Sequence, residues 1–205
     1  VSKIHYFIYQ FEMKILQYLF ISLGHKILKL LPYTSIRILS VPIGTLYFLL
    51  TFRSSIKLFK RKEIFNELKI NYKPLIVKIN YTRYWLETLW LTNKNFSKYI
   101  SLHVEIENLE YVEKLKKQYP GLIFALPHLG NWEFAIPIGN SIKLNLLAVA
   151  EPLNNSYVLN WFKSLRESLG IEIIIGGKGQ NTFDLLVNKL KSGKDICCLL
   201  YTSPS

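Results

Sequence analysis

Between residues 122 and 200, four short apolar runs alternate with helical stretches. Leu122–Leu126 is followed by a helix-like segment to about Ser141. Leu144–Ala150 is followed by a helical period over 155–169. Ile171–Ile175 is followed by a helical period over 182–191, and Ile196–Leu200 closes the series. Runs of five to seven apolar residues are too short for buried helices, and they recur with helices of about twelve residues between them. That pattern predicts βαβ units around a mainly parallel sheet covered on its faces. The expected fold class is therefore α/β, a mainly parallel central sheet flanked by helices. Upstream, a helical period over 72–92 places Leu75, Ile76, Ile79, Leu86, Leu89 and Trp90 on one side and predicts a mostly buried helix. A second amphipathic helix over 107–118 turns Leu109, Val112 and Leu115 inward and stops at Pro120-Gly121.

In parallel sheets, ligands bind beyond the carboxyl ends of the strands. That rule singles out Pro127-His128-Leu129-Gly130-Asn131-Trp132-Glu133. His128 leaves the end of the first strand, Gly130 permits a sharp turn and Asn131 is a good N-cap. Glu133 then falls in the first helical turn. A carboxylate bonded to one imidazole nitrogen fixes the tautomer and frees the other nitrogen as a general base. The same spacing also suits a plain helix start, where Glu133 favours the dipole. No Gly-x-Ser-x-Gly elbow is present, which argues against an α/β hydrolase. Attack by an activated substrate hydroxyl is the natural chemistry. Gly176-Gly177-Lys178-Gly179, after the third strand, can turn N–H groups and a Lys towards a phosphate, although a flexible turn explains it more simply. His25 and His103 have no acidic neighbour at a telling spacing and read as surface or core residues.

The charge narrows the partners. The chain has 205 residues, 26 basic and 14 acidic, for a net charge of +12. Residues 1–70 hold 11 Lys and Arg against three Glu, and they are also the most apolar part. Basic residues set into apolar helical segments point to an anionic membrane surface rather than to nucleic acid. The stretches 15–31 and 38–52 are interrupted or short for a span of about 20 residues. They are expected to lie in the interface, with Lys57, Lys60, Arg61 and Lys62 against headgroups. A soluble core pair and a true span remain alternatives. One domain over 1–205 is expected, with 1–70 as membrane-docking helices and 71–205 as further helices plus the βαβ core. Two adjacent cysteines, Cys197 and Cys198, cannot make a disulfide framework or a four-ligand zinc site, and no metal is expected.

The order of these segments resembles one superfamily. His128-x-x-x-x-Glu133 after an apolar strand is similar to the His-x-x-x-x-Asp/Glu motif of the lysophospholipid and lipid A biosynthesis acyltransferases. Ala125–Glu133 looks like the corresponding segment of the actinobacterial phosphatidylinositol mannoside acyltransferases. So do Arg83-Tyr84-Trp85-Leu86-Glu87, Ala150-Glu151-Pro152-Leu153 and the Phe162…Arg166…Leu169-Gly170-Ile171-Glu172 stretch. The resemblance covers about residues 45–200. It implies an acyl-CoA-dependent O-acyltransferase, peripheral on the cytoplasmic face of the plasma membrane, acting on a glycolipid hydroxyl. It implies His128 as the base that deprotonates the acceptor and Glu133 as the residue that orients it. Asn131, Glu151 and Arg166 are implied on the substrate-binding side. No cofactor is implied beyond acyl-CoA as donor substrate. A lipid A-type or lysophospholipid acceptor is the nearest alternative, and a non-catalytic membrane-surface protein with the same fold is another. The family carries an acidic stretch after the fourth strand, whereas Leu200 is followed here by Tyr201-Thr202-Ser203-Pro204-Ser205. The chain also begins with Val1. A fragment with a non-native tail is therefore expected. So is an uncovered sheet edge at Ile196–Leu200 that pairs with another molecule.

Overall fold

The structure, a computed structural model, describes residues 2–52, 73–176 and 181–200. The Lys57–Lys62 cluster, Gly177-Lys178-Gly179 and the tail after Leu200 lie outside the described residues. Eight α-helices and four strands are described: α1 Ser2–Leu28, α2 Tyr33–Leu50, α3 Pro74–Trp90, α4 Phe96–His103, α5 Leu109–Gln118, β1 Ile123–Pro127, α6 Ala135–Ser141, β2 Leu146–Ala150, α7 Ser156–Ser168, β3 Glu172–Ile175, α8 Thr182–Lys191 and β4 Asp195–Leu200. The chain forms two compact units, residues 1–24 with 95–205 and residues 25–94.

The first unit is the α/β part. Its strands form one parallel sheet in the order β1-β4-β2-β3. Ile136, Leu144, Leu146, Ile171 and Ile173 form the buried cluster beside the sheet, joined by Phe124, Ala148 and Cys197. Strand positions in register share a face. Phe124, Cys197, Ala148 and Ile173 are such a row. The shortness of the four apolar runs thus translated directly into strands, and the helical periods between them into α6, α7 and α8.

The expected edge at Ile196–Leu200 is corrected. β4 lies inside the sheet, with β1 on one side and β2 on the other. The apolarity of that run belongs to a strand flanked on both sides, and the edges are β1 and β3. β1 shows the pattern of an edge strand, with Ile123 61% exposed. The dimer expected from an unpaired β4 loses its basis.

The interior position of β4 is fixed by Asp195, which is fully buried. Its carboxylate accepts from Lys116 Nζ at 2.8 and 3.0 Å, from Leu122 N–H at 3.0 Å and from Asn145 N–H at 2.8 Å. Leu122 precedes β1 and Asn145 precedes β2, so one side chain binds the start of both neighbouring strands. Nearby, Glu172 at the start of β3 pairs with Lys189 and Lys194. Hydrogen bonds from Lys189 and then Lys194 hold its carboxyl below the usual range.

Helix α7 is tied to α1 in the same unit. Asn155 caps α7 by accepting from the N–H groups of Tyr157 and Val158. Its amide also donates to Lys14 O and Gln17 Oε1, both at 2.9 Å. Tyr18 and Ile21 pack on Val158, Phe162 and Leu165.

In the second unit, α2 and α3 pair closely. A Cβ on Gly44 would stand 2.6 Å from Ile79 Cα, so the backbones touch there. Tyr33 O–H donates to Glu87 at 2.7 Å, and Trp90 Nε1 donates to Leu31 O at 2.8 Å. The inward face of α3 meets the expectation in part, since Trp90 is buried and Ile79 lies against Gly44. Thr82, Glu87, Thr88 and Trp90 are buried, whereas Leu75 and Ile76 are exposed. The contacts at Gly44 and Tyr33 turn the polar stripe inward. His25 is a structural residue. Its Nδ1–H donates to Leu89 O at 2.8 Å, and its Nε2 meets Thr92 Oγ1 at 3.3 Å. Burial, and secondarily Lys29, hold its pKa below the ordinary value despite the opposing Leu89 bond.

Replacing Asp195 with Ala leaves a Lys and two strand N–H groups without their acceptor. The expected loss is about 3–5 kcal/mol, the usual effect of breaking a buried pair, read from the urea midpoint. His25 gives a pH dependence. Its folded pKa is lowered, so the unfolded chain binds the extra proton first. Stability should therefore be full above its ordinary pKa of 6.5 and fall as pH drops below that value. Urea titrations at several pH values should show this slope diminished in His25→Gln.

Candidate active site

The candidate site lies wholly within the first unit. Because the strands are parallel, the residues that follow β1, β2 and β3 share one edge of the sheet. His128 follows Pro127 there and is exposed. The chain turns at once, with Leu129 N–H donating to Pro127 O at 2.8 Å. Gly130 has φ +59°, a left-handed conformation that side chains with a Cβ resist. No atom lies within 4 Å of a Cβ built there, so backbone conformation and not space calls for glycine.

Asn131 performs the capping that its position suggests. Its side chain accepts from Glu133 N–H at 3.2 Å and opens the 3₁₀ turn Trp132–Phe134. That turn carries Glu133 inward to 1% exposure. Phe134 anchors the turn from behind, with its ring 5.4 Å from Phe96 and 6.4 Å from Tyr99. Helix α4, which supplies both aromatics, had no clear signal in the sequence.

Glu133 and Arg166, taken separately in the sequence, form one unit. Arg166 Nη2 donates to Glu133 Oε1 at 2.6 Å, and Nε lies 3.2 Å from both carboxylate oxygens. The guanidinium carbon is 5.2 Å from the centre of the Trp132 ring and 5.6 Å from that of Phe162. A planar, always-charged fork suits a buried carboxylate with aromatic walls better than Lys would. A sequence signal for this pairing existed. Arg166 lies one helical turn from Phe162, on the apolar stripe with Val158, and a cation on a buried stripe implies a buried anion.

Glu151 follows β2 and is exposed at the same edge. β4 lies between β1 and β2, so their strand ends are two spacings apart, about 10 Å. His128 and Glu151 thus flank the end of β4. Gly176 N–H donates to Ala150 O at 2.9 Å and closes the β2–β3 side. Cys197 is a poor candidate nucleophile. Burial, then Cys198 and Asp195, pushes its pKa up to about 11.

Replacing Arg166 with Leu should remove the guanidinium fork from the buried Glu133 carboxylate and cost about 3–5 kcal/mol in a urea melt. Adding Glu133→Gln to that variant should recover part of the loss, because the buried charge that Arg166 balanced is gone.

The sequence pattern of the family described as bacterial lipid A biosynthesis acyltransferase matches residues 8–201. A phosphatidylinositol mannoside acyltransferase of Mycobacterium tuberculosis is 30% identical over 122 residues, which is 58% of this chain and 39% of that protein. A phosphatidylinositol mannoside acyltransferase of Mycolicibacterium smegmatis is 27% identical over 124 residues, 58% of this chain and 40% of its own length. The chain thus spans about two fifths of these curated relatives. With nearly its whole length matched by the family pattern, and the His128–Glu133 turn seated on a parallel sheet as described above, the chain belongs to the bacterial lipid A biosynthesis acyltransferase family.

Proposed function

We propose that the protein transfers a fatty acyl group from acyl-CoA to a hydroxyl of a glycolipid, with a phosphatidylinositol mannoside as acceptor. One observation carries this reading: an exposed His128 at the carboxyl edge of a parallel sheet, joined by a tight turn to the buried Glu133. The name of the relatives supports the acceptor. His128 accepts the proton of the acceptor hydroxyl as the oxygen attacks the thioester carbonyl. The tetrahedral intermediate then collapses, the C–S bond breaks, and the imidazolium returns the proton to the departing CoA sulfur. Glu133 orients the imidazole, while Arg166 holds Glu133 in place. Glu151, exposed at the same edge, accepts hydrogen bonds from sugar hydroxyls. Asn131 shapes the turn beside the substrate. The chemistry needs no further cofactor.

The net charge of +12 supports peripheral work at an anionic membrane, on the cytoplasmic face where acyl-CoA is made available. The family description favours a second acceptor class, a lipid A precursor.

The test uses the full-length protein with acyl-CoA and each acceptor in turn. His128→Ala should lower turnover by about 10²–10⁴-fold, the usual contribution of a general base, with folding intact by circular dichroism. Glu133→Gln should cost less, since the imidazole remains. Near-unchanged turnover in His128→Ala would sink the mechanism. No transfer by the unsubstituted protein to any lipid hydroxyl would favour a non-catalytic membrane protein with this fold.

A further inference from the structure

Helix α7 is held at its start by a side chain that does more than cap it. Asn155 is buried. Its Oδ1 accepts from Tyr157 N–H at 3.1 Å and from Val158 N–H at 3.3 Å. Its Nδ2 donates to Lys14 O and to Gln17 Oε1, both at 2.9 Å and both on α1. All four hydrogen-bonding places of the amide are therefore filled. The two accepted bonds are ordinary capping, which Asp or Ser would serve as well. Only an amide adds two donors on the other side of the same group. What calls for Asn at this position is α1, not the helix start.

The tie matters because of what stands further along α7. Arg166 lies about three turns beyond the cap, roughly 16 Å along the axis. A tilt of about 5° at the cap would carry it through roughly 1.4 Å. The fork has no room for that. Nη2 is 2.6 Å from Glu133 Oε1, and Nε is 3.2 Å from both carboxylate oxygens.

Apolar packing alone does not set this position. Val158, Phe162 and Leu165 pack on Tyr18 and Ile21 of α1, and the rings of Tyr18 and Tyr157 are 6.2 Å apart. Hydrophobic contact is non-directional, so it selects the face that α7 presents and tolerates sliding. The Asn155 bonds run to two points about one turn apart on α1, and they fix where along it α7 stops.

We propose that Asn155 is a positioning residue for acyl transfer: by fastening α7 to α1 it holds the Arg166 fork in register with Glu133, and with it the turn that carries His128. Residues 14–21 of α1 are then a working part of the site. The proposal rests on the acyl-transfer reading above. The isolating variant, made in the full-length protein, is Asn155→Asp. It keeps the cap, whereas a carboxylate oxygen replaces the donor that faces Lys14 O. Helix content by circular dichroism should be unchanged. The kcat should fall by about 10–100-fold with the KM for acyl-CoA unaltered, since misplacement by about 1 Å can cost 10²-fold. Adding Gln17→Lys puts a cation opposite the new carboxylate and should restore most of the kcat. A second readout needs no turnover. Proton exchange at Arg166 Nε–H, followed by NMR and assigned by its loss in Arg166→Lys, should quicken about tenfold in Asn155→Asp and slow again with Gln17→Lys. That measurement decides the coupling even where the protein transfers no acyl group, so its failure is distinct from failure of the chemistry. Unchanged exchange in Asn155→Asp would overturn the proposal. So would a fall in kcat that merely follows the folded fraction in urea, or one that Gln17→Lys leaves uncorrected; Asn155 would then be a helix cap and no more.

Discussion

The sheet depends on where one buried carboxylate sits. Asp195 has no exposure to water, and it accepts from Lys116, from Leu122 N–H and from Asn145 N–H. A carboxylate taken out of water is tolerable only when several donors replace its hydration. The donors here come from α5 and from the residues before β1 and β2. Satisfying Asp195 therefore requires that β4 enter between those two strands. With β4 in that position, the exits of β1, β2 and β3 fall along one edge. Parallel strands put His128 and Glu151 at that edge, and the charge at the opposite one sets β4 between them.

The candidate site repeats the same physics at the other end. Glu133 is buried by the 3₁₀ turn that Asn131 opens, and burial of a carboxylate demands a partner. Arg166 supplies a fork of two nitrogens between two aromatic rings. The pair ties the loop after β1 to α7, and α7 is in turn tied to α1 through Asn155. The acyltransferase motif is thus held by side-chain bonds to segments distant in sequence. A shift of α7 would reach Glu133, and with it the loop that carries His128, through Arg166.

The α/β half was legible because its elements are written locally. The run Leu144–Ala150 became β2 Leu146–Ala150, and the period over 182–191 became α8 Thr182–Lys191. Gly130 and Asn131 announced the turn that the structure contains. Helix α4 was missed, since Phe96–His103 is short and its aromatics serve Phe134 rather than a stripe of their own. β4 begins at Asp195, one residue before the apolar run Ile196–Leu200, a start that apolarity alone does not mark. On α3 hydropathy correctly places Trp90 and Ile79 inward, but it does not foresee the burial of Thr82, Glu87 and Thr88, where Tyr33 reaches Glu87.

The sequence by itself determined the kinds of element, the candidate residues and the family pattern, since these rest on periodicity and on motifs a few residues long. It could not decide strand order, because parallel strands of similar apolarity are interchangeable until a specific contact ranks them. Asp195 made that choice across separations of 73 and 50 residues. Nor could it pair Glu133 with Arg166, 33 residues apart, or send the aliphatic side of α2 outward. Long-range charge satisfaction and close backbone packing act only once the chain has folded, so the tertiary structure alone settled them.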